Sequence, residues 1–372
     1  MLSKREELLY GCSKEEFDFG VLDNDIKNAF LKSCKCINDV SGKVDYSVDY
    51  NSLLEYFSNI SIYKFDVETW RKLYFVASEN ALFRLSLVLR NKYKEVLRGD
   101  SNITPWRRVQ CAIEEDDVEV AKKIISNIEK LDDYKRNCYK DITSAKMYLD
   151  KIYGKETHCL RAKNSVFPSK IHLYGPLEYR QKKANPLETV ARIDDRIDRN
   201  NRDRTNFLYI NSESYEELKD SEPQFWERFD CVSIKEADSL IDNKTIFRHI
   251  PSINSLFLFG YPNMVPLIVF DLINEGVEEI IVSGVNLYCS RNAYDKGYEG
   301  YAIMKDNKKR KKRLASWCIH DVLSQFYFLK NIYRNKKIIV DEEMERIMQM
   351  SDYEYAQNME KEHMIELIDR RI

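Results

Sequence analysis

Apolar residues recur at intervals of three and four through much of the N-terminal part of the chain, and this spacing places them on one face of an α-helix. The pattern is clearest in residues 53–57, 70–91 and 118–131. Pro105 follows a break in the pattern and is suited to the first turn of another helix. We therefore expect residues 1–166 to form a mainly helical domain.

Short apolar runs of strand length replace the helical pattern after Phe167. β-Branched and aromatic residues are frequent in these runs, and helical patterns stand between several of them. The runs are residues 170–174, 206–210, 229–234, 255–259 and 279–283. Alternation of strands and helices is typical of a parallel sheet. The sequence thus predicts an α/β protein, with a Rossmann-like parallel-sheet domain over residues 167–372.

Composition places the chain among ordinary globular proteins with room for two domains. It has 372 residues, of which 44% are hydrophobic and 32% are charged. The net charge of −2 argues against general electrostatic binding to nucleic acid. A densely charged stretch, residues 182–204, predicts a solvated helix and loop between the first two apolar runs.

The cysteines and the apolar segments exclude several other classes of protein. The nine cysteines are scattered without the paired spacing of a zinc site, so we expect free thiols in a reducing cytosol. The first residues lack the apolar stretch of a signal peptide, and no run of 18 uncharged apolar residues predicts a membrane span. Any contact with a membrane would then be peripheral.

Small and polar residues follow three of the predicted strands. In an open parallel sheet, ligands bind just outside the carboxyl ends of the strands, so these residues are the candidates for chemistry. They are Gly175 and Pro176 after the first strand, Asn211 and Ser212 after the second, and Ser283, Gly284, Asn286 and Tyr288 at the end of the last. Tyr294 and His320 follow on the next loop and at the start of the next helix.

Short motifs at these positions carry a resemblance that covers residues 168–372. They are Leu173-Tyr174-Gly175-Pro176-Leu177, Asn211, Tyr261-Pro262-Asn263, Ser283-Gly284-Val285-Asn286-Leu287-Tyr288, Tyr294, and His320 followed by Phe328-Leu329. In this order and spacing they resemble the bacterial sialyltransferases that decorate lipooligosaccharide and, more distantly, the animal sialyltransferases. Departures from the family's motifs at Tyr174, Leu177, Pro262-Asn263 and Asn286 leave the donor sugar open between sialic acid and Kdo.

The resemblance implies a metal-independent, inverting glycosyltransferase without a cofactor. It would move an acidic keto-sugar from a CMP donor to a hydroxyl group of a bacterial glycan or glycolipid acceptor. His320 would be the general base, a task that suits an imidazole near neutral pH. Tyr288 and Tyr294 would donate hydrogen bonds to the leaving phosphate. The nucleotide would contact Gly175, Pro176, Asn211, Ser212, Asn263, Ser283, Gly284 and Asn286.

Several assignments have an alternative. Asp321 either orients His320 or caps the helix that begins there. His249 is a candidate for contact with the donor carboxylate. The basic run from Lys308 to Arg313 is typical of a solvated loop, a nuclear localisation signal or a nucleic-acid patch. On the loop before His320 it would instead attract an anionic acceptor or the inner face of a bacterial membrane.

We therefore expect a cytoplasmic enzyme that works at the inner face of a bacterial membrane and does not bind nucleic acid. Its helical region would carry an acceptor-binding surface or a contact between the copies of a homo-oligomer. Two other functions stay open. One is a non-catalytic interaction protein with a degenerate nucleotide-binding domain, and the other is a glycosyltransferase that uses a different nucleotide-sugar.

Overall fold

A computed structural model of the chain describes residues 18–35, 47–99, 104–131, 139–154, 166–177, 189–193, 206–212, 215–216, 223–235, 246–289 and 319–369. Within these ranges the protein is an α/β structure in which helices accompany a seven-stranded parallel sheet. The predicted α/β class is confirmed, and the sheet is compatible with a Rossmann-like fold.

Helices form the described elements that precede the first strand. They are α1 (Asn24–Lys35), α2 (Ser47–Asn59), α3 (Val67–Glu79), α4 (Phe83–Gly99), α5 (Pro105–Glu114), α6 (Val118–Ile128) and α7 (Tyr139–Tyr153), with short 3-10 helices at Phe19–Val21 and Ile62–Lys64. Pro105 occupies the first turn of α5, as its position in the sequence predicts. The apolar pattern over residues 70–91 is divided between α3 and α4, because Ala81 has a φ of 54° and interrupts the helix.

The sheet of the described residues contains seven strands. They are β1 (Lys170–Tyr174), β2 (Val190–Ile193), β3 (Phe207–Asn211), β4 (Cys231–Lys235), β5 (Ile246–His249), β6 (Glu279–Ser283) and β7 (Ile339–Val340). Their order is β5-β4-β3-β2-β1-β6-β7, and every neighbouring pair is parallel. The chain builds outwards from β1 to β5 and then returns to place β6 on the other side of β1. Tyr174 at the end of β1 is thus paired with Ser283 at the end of β6.

The other described helices connect or follow the strands. They are α8 (Pro223–Trp226), α9 (Met264–Asn274), α10 (Val322–Arg334), α11 (Glu342–Gln349) and α12 (Asp352–Asp369), with a 3-10 helix at Asn254–Leu256. Asn263, Asp321 and Asp341 are the N-caps of α9, α10 and α11. A helix that connects two parallel strands runs back across the sheet, so the starts of α9 and α10 lie at its carboxyl edge.

Alternate residues of a strand enter two separate hydrophobic clusters. Phe207 and Tyr209 of β3 belong to a large core that also contains residues of the helices before the sheet. Leu208 and Ile210 belong to a smaller cluster around Trp226. Since successive side chains of a strand point to opposite faces, the two clusters cover the two faces of the sheet.

The large core is continuous between the N-terminal helices and the sheet. Tyr148 of α7 stacks on Phe328 of α10 with 5.1 Å between the ring centroids. Tyr50 of α2 donates a hydrogen bond to the buried carboxylate of Glu360 in α12, 310 residues later. Arg84 at the start of α4 pairs with the same carboxylate. The C-terminal helix α12 therefore packs against helices that precede the sheet.

The apolar run at residues 255–259 does not form the predicted strand. Gln110 of α5 donates hydrogen bonds to the carbonyl oxygens of Ser255 and Phe257, at 2.8 and 2.9 Å. These side-chain bonds take the place of the backbone hydrogen bonds that a neighbouring strand would provide. A buried carbonyl group needs a hydrogen-bond donor, but the donor can belong to a side chain as well as to the backbone. The segment is therefore buried without joining the sheet, and it begins as a 3-10 helix.

The sequence does not predict the shortest strands, which are β2, β5 and β7. The β2 strand lies inside the charged stretch of residues 182–204, for which we expected a solvated helix and loop. Val190 and Ala191 of this strand are fully buried between β1 and β3, so that expectation is wrong for them. A strand of two to four residues is too short to show a periodic pattern.

Candidate functional site

The strand β1 lies where the sheet changes its direction of growth. From β1 the chain continues to β2 on one side, whereas β6 adds to the opposite side. Loops that leave the carboxyl ends of two such strands diverge, and the crevice between them is the usual ligand site of an open parallel sheet. Gly175 and Pro176 follow β1, while Ser283 and Gly284 stand at the end of β6. The structure thus brings these predicted residues together at the crevice.

Hydrogen bonds join the two loops directly after these strands. The Gly175 amide donates to the Ser283 carbonyl oxygen at 2.7 Å, and the Leu177 amide donates to the Gly284 carbonyl oxygen at 3.1 Å. A Cβ atom on Gly175 would lie 2.4 Å from the Gly284 oxygen, so a side chain at this position would force the loops apart. Because both amides already donate within the protein, their hydrogens are not directed at a phosphate.

Side chains of β1 and β6 meet beside this contact. The Ser283 hydroxyl lies 2.8 Å from Nε2 of His172, whose ring stacks on Tyr174 with 4.1 Å between the centroids. Tyr174 is almost fully buried. The predicted contribution of Ser283 to nucleotide binding therefore competes with its hydrogen bond to a neighbouring histidine.

Asp341 is a site residue that the sequence analysis missed. Its Oδ2 accepts a hydrogen bond from the Gly284 amide at 2.7 Å, and its Oδ1 accepts one from the Met344 amide at 2.9 Å. One carboxylate therefore holds the end of β6 against the start of α11. A signal for this role is present in the sequence, since an Asp before Glu342 and Glu343 is typical of a helix start.

The turn after Gly284 holds two successive residues in the left-handed region of backbone conformation. The φ angles are 45° at Leu287 and 66° at Tyr288, and this region costs an L-residue about 1–2 kcal/mol. The Asn286 side-chain oxygen accepts the Tyr288 amide at 3.0 Å, and the Tyr355 hydroxyl donates to the Leu287 carbonyl oxygen at 2.9 Å. Strained backbone of this kind clusters at functional sites, so the turn that presents Tyr288 is a candidate for one.

His320 lies just before α10, and a backbone carbonyl group fixes its ring. Nδ1 is 3.2 Å from the Tyr261 carbonyl oxygen, to which the Gln325 side chain also donates at 2.9 Å. A carbonyl oxygen only accepts hydrogen bonds, so in the neutral ring Nδ1 carries the hydrogen and Nε2 carries the lone pair. In this tautomer Nε2 is the nitrogen that can take up a proton.

The loop that supplies this carbonyl group is packed onto the start of α10. The Tyr261 amide donates to the Ile319 carbonyl oxygen at 2.7 Å, and the Asn263 amide donates to the Gln325 side chain at 3.0 Å. Gly260 has a φ of 64°, and a Cβ atom there would lie 2.6 Å from the Ile319 oxygen. The loop and the start of the helix therefore depend on each other for their position.

Tyr355 of α12 joins the turn at Tyr288 to the start of α10. Its hydroxyl lies 2.9 Å from the Leu287 carbonyl oxygen and 3.4 Å from the Val322 carbonyl oxygen. Leu287 directly precedes Tyr288, and Val322 follows His320 by two residues. The structure thus places the backbone of two of the three predicted catalytic residues, Tyr288 and His320, at one corner of the carboxyl edge.

Other predicted residues lie farther along this edge. Asn211 ends β3 and Ser212 follows it, and β3 is three strands from β6 and therefore ~14 Å away across the sheet. Asn263 caps α9, with its side-chain oxygen 3.1 Å from the Val265 amide. Lys235 at the end of β4 is buried and donates to the Pro262 carbonyl oxygen at 3.1 Å. The sequence analysis did not single out this lysine, which brings a positive charge to the same edge.

The structure does not bring His249 to the crevice. This residue is exposed at the end of β5, the edge strand that lies four positions from β1. The adjacent Arg248 pairs with Asp271 of α9 and with Glu275, which caps the C-terminus of that helix, at 2.6 Å in each case. The carboxyl end of β5 is therefore too far from the loops after β1 and β6 to hold the same small ligand group.

Tyr294 and the basic run from Lys308 to Arg313 lie outside the described residues. Within the described ranges, no group of three or more His, Cys, Asp or Glu side chains could hold a metal ion. The helices in these ranges include none with the length and apolar character needed to cross a membrane. Independence from metal stays a prediction.

No family model, curated protein or solved structure matches this chain. The functional assignment therefore depends on the chemistry of the residues at the carboxyl edge and on the resemblance in short motifs.

Proposed function

We propose that the chain is a glycosyltransferase that moves an acidic keto-sugar, either sialic acid or Kdo, from CMP to a hydroxyl group of a bacterial surface glycan. The observation that carries the proposal is the meeting of the Tyr288 turn and the start of α10 at the Tyr355 hydroxyl. The backbone of Tyr288, on a strained turn, and the imidazole of His320, with an oriented tautomer, thus lie at the edge of the sheet where ligands of open parallel sheets bind.

In the proposed reaction the acceptor hydroxyl attacks the anomeric carbon of the sugar from the side opposite to CMP. Nε2 of His320 accepts the hydroxyl proton while the new carbon–oxygen bond forms. The bond between the anomeric carbon and the phosphate oxygen breaks, and its electron pair leaves with CMP. The phenols of Tyr288 and Tyr294 donate hydrogen bonds to the departing phosphate, whose charge rises in the transition state. The sugar is transferred with inversion, and the reaction needs no metal ion.

The nucleotide would lie along the carboxyl edge, from Asn211 and Ser212 at the end of β3 towards the crevice between β1 and β6. The amides of Gly175 and Gly284 already donate within the protein, so these glycines would act by permitting close approach of the backbone. Asn286 would act indirectly, by stabilising the turn, since its side-chain oxygen accepts a hydrogen bond from the Tyr288 amide.

Calorimetric titration with CMP tests the proposed nucleotide site, with CDP and UDP as controls. We expect CMP to bind more tightly than either control. A donor screen with CMP-sialic acid and CMP-Kdo, followed by mass spectrometry of the products, then identifies the sugar. The reaction is expected to continue in EDTA. Equal binding of the three nucleotides, or a strict requirement for a divalent metal ion, would contradict the proposal.

A non-catalytic interaction protein is the second candidate, and the use of backbone amides at the crevice favours it. The amides of Gly175, Leu177 and Gly284 all donate to protein oxygens, which leaves the crevice poor in donors for a phosphate. In that case CMP and the CMP-sugars do not bind. The calorimetric titration therefore separates this candidate from the enzyme.

We place the proposed enzyme in the cytoplasm, at the inner face of a bacterial membrane where lipid-linked glycans are built. The basic run from Lys308 to Arg313 would attract anionic lipid headgroups or an anionic acceptor. The proposed helical domain would present an acceptor-binding surface or hold copies together in a homo-oligomer. Cosedimentation with anionic vesicles, compared with neutral ones, tests the membrane contact.

A further inference from the structure

Arg90 of α4 is a fully buried cation at the contact between the N-terminal helices and the start of α10. Its Nε and Nη2 donate to the carboxylate of Glu114, and its Nη2 also donates to the Ser324 hydroxyl at 2.6 Å. Its Nη1 donates to the Tyr74 hydroxyl at 2.7 Å and to Asp321 Oδ1 at 2.9 Å. A guanidinium group has five N–H hydrogens, so each of them has an acceptor here.

Asp321 receives hydrogen bonds on both carboxylate oxygens. Oδ1 accepts the Arg90 guanidinium and the Ser324 amide, the latter at 2.7 Å as the cap of α10. Oδ2 accepts the hydroxyl of Tyr74. Asp321 directly follows His320, so the helices before the sheet fix the backbone next to the proposed base.

The charges of this cluster balance each other. Lys94 lies 2.5 Å from the Glu114 carboxylate, so Arg90 and Lys94 face Glu114 and Asp321. Burial would raise the pKa of Glu114, but the two cations outweigh it and hold that pKa at about 2. Burial likewise opposes the charge on Arg90, yet the surrounding anions, Glu114 foremost, raise the guanidinium pKa above its ordinary value. Glu114 and Arg90 are therefore both charged at neutral pH.

A buried ion pair of this kind adds little net stability compared with a well-packed apolar pair. Its advantage is geometric: five hydrogen bonds from one rigid guanidinium group fix the positions and orientations of the groups that accept them. We propose that Arg90 is a positioning residue for His320, acting through Asp321 to hold the imidazole with Nδ1 on the Tyr261 carbonyl oxygen. This inference rests on the proposed function for its catalytic meaning, but the orientation of the ring can be measured without any activity.

The first test is the tautomer of His320, measured by NMR of protein labelled with 13C and 15N in its five histidines. The signal that disappears in His320→Ala identifies the residue. The wild-type ring is expected in the Nδ1–H form. In Arg90→Met we expect a mixture that includes the Nε2–H form, because the start of α10 loses its fixed position. An unchanged tautomer in Arg90→Met would overturn the proposal.

The second test separates kcat from KM in the transfer reaction. Arg90→Met is expected to lower kcat by about 10- to 100-fold, which is the range for a catalytic group displaced by about 1 Å, with KM for the donor unchanged. Arg90→Lys restores the charge but not the fork of donors, so we expect an intermediate kcat. A wild-type kcat in Arg90→Met would also overturn the positioning role.

Arg84→Met is the matched control, since it breaks another ion pair between an N-terminal helix and the C-terminal part, the pair of the partly buried Arg84 with the buried Glu360. It is expected to leave both the tautomer of His320 and kcat unchanged. Equal effects of Arg84→Met and Arg90→Met would reduce Arg90 to a general structural role and overturn the proposal.

If Arg90→Met does not fold, Tyr74→Phe carries the same test, because it removes a single oxygen that bonds both Arg90 and Asp321. A changed tautomer in a protein that transfers no sugar would support the positioning role and reject the proposed function. An unchanged tautomer in a protein that does transfer sugar would reject the positioning role and support the proposed function.

Discussion

The Tyr261 carbonyl group decides which nitrogen of His320 can work as a base. With Nδ1 at 3.2 Å from that oxygen, the ring hydrogen lies on Nδ1 and the lone pair on Nε2. Removal of the His320 imidazole would therefore remove the group that accepts the proton of the acceptor hydroxyl. The residues predicted to contact the nucleotide at the ends of β1 and β3 lie on other elements than His320, so loss of the imidazole would leave these contacts intact.

His320→Ala is expected to lower the rate of sugar transfer by about 10²- to 10⁴-fold, the usual contribution of a general acid or base. Its dissociation constant for CMP is expected to match that of the wild type. His249→Ala is the matched control, because that exposed histidine ends the distant edge strand, and it should transfer sugar at the wild-type rate. Full activity of the His320 variant would reject its assignment as the base.

Glu79, the last residue of α3, couples stability to pH. Burial raises the pKa of its carboxyl group to about 7 in the folded protein, from an ordinary value of 4.5. As pH rises between these values, the unfolded state loses the proton first. The free energy of unfolding therefore falls over this range, and the loss is complete above pH 7.

Glu79→Gln removes the ionisation and should cancel this loss. We expect the variant to be more stable than the wild type by about 2 kcal/mol at pH 8 and equally stable at pH 4, where both side chains are neutral. Urea denaturation at the two pH values measures the difference. A variant that gains nothing at pH 8 would show that the folded protein does not resist ionisation of Glu79.

Single side chains are easier to predict from the sequence than their distant partners. The sequence leaves Asp321 open between capping the helix and orienting His320, and its 2.7 Å bond from the Ser324 amide shows the cap. Arg90 lies 231 residues before Asp321, and nothing in the pattern of α4 separates it from a surface arginine. Its part in the site follows from packing, which the sequence does not display.

Among the elements, strands of five residues could be predicted, whereas shorter ones could not. The runs at residues 170–174 and 279–283 coincide with β1 and β6, and the runs for β3 and β4 fall within two residues of the observed strands. The prediction of a strand at residues 255–259 is wrong, because an apolar run indicates that a segment is buried but does not indicate which groups its backbone will hydrogen-bond. There Gln110 provides donors that a strand would otherwise provide.

Gly260→Ala is expected to destabilise the protein by about 2–4 kcal/mol, through its left-handed backbone and the crowding of a new Cβ atom. That atom would lie 2.6 Å from the Ile319 carbonyl oxygen and 2.7 Å from the Asp321 nitrogen. Displacement of the start of α10 should lower the rate of transfer as well. Urea denaturation and kinetics measure the two effects.

Gly99→Ala is the control for this prediction, since nothing lies within 4 Å of a Cβ atom at that position. We expect this variant to be as stable as the wild type or slightly more stable, because alanine favours a helix over glycine. If the two glycine variants were equally stable, the close approach at Gly260 would have no energetic consequence.

The molecule as a whole is held together by contacts between its first and last parts. Tyr50 and Arg84 bind Glu360, and Arg90 binds Asp321. The buried core crosses the domain boundary that we predict near residue 166. Unfolding of the N-terminal helices alone would leave buried carboxylates without partners, at a cost of about 3–5 kcal/mol for each pair.

We therefore expect the described regions before and after residue 166 to unfold in a single thermal transition. Scanning calorimetry should give equal calorimetric and van't Hoff enthalpies. Arg84→Met should shift the whole transition to a lower temperature without dividing it. Two well-separated transitions would show that the helices and the sheet are stable independently.

The pairing of Tyr50 with Glu360 also has a consequence during translation. The carboxylate is made 310 residues after the tyrosine, which at ribosomal speeds corresponds to roughly 15–60 s. The central strand β1 lies between β2 and β6, so one of its edges likewise has no partner strand until β6 has been synthesised. Throughout this delay the nascent chain exposes apolar surface, so the cell that makes this protein has to shield it with chaperones or lose a share of it to aggregation.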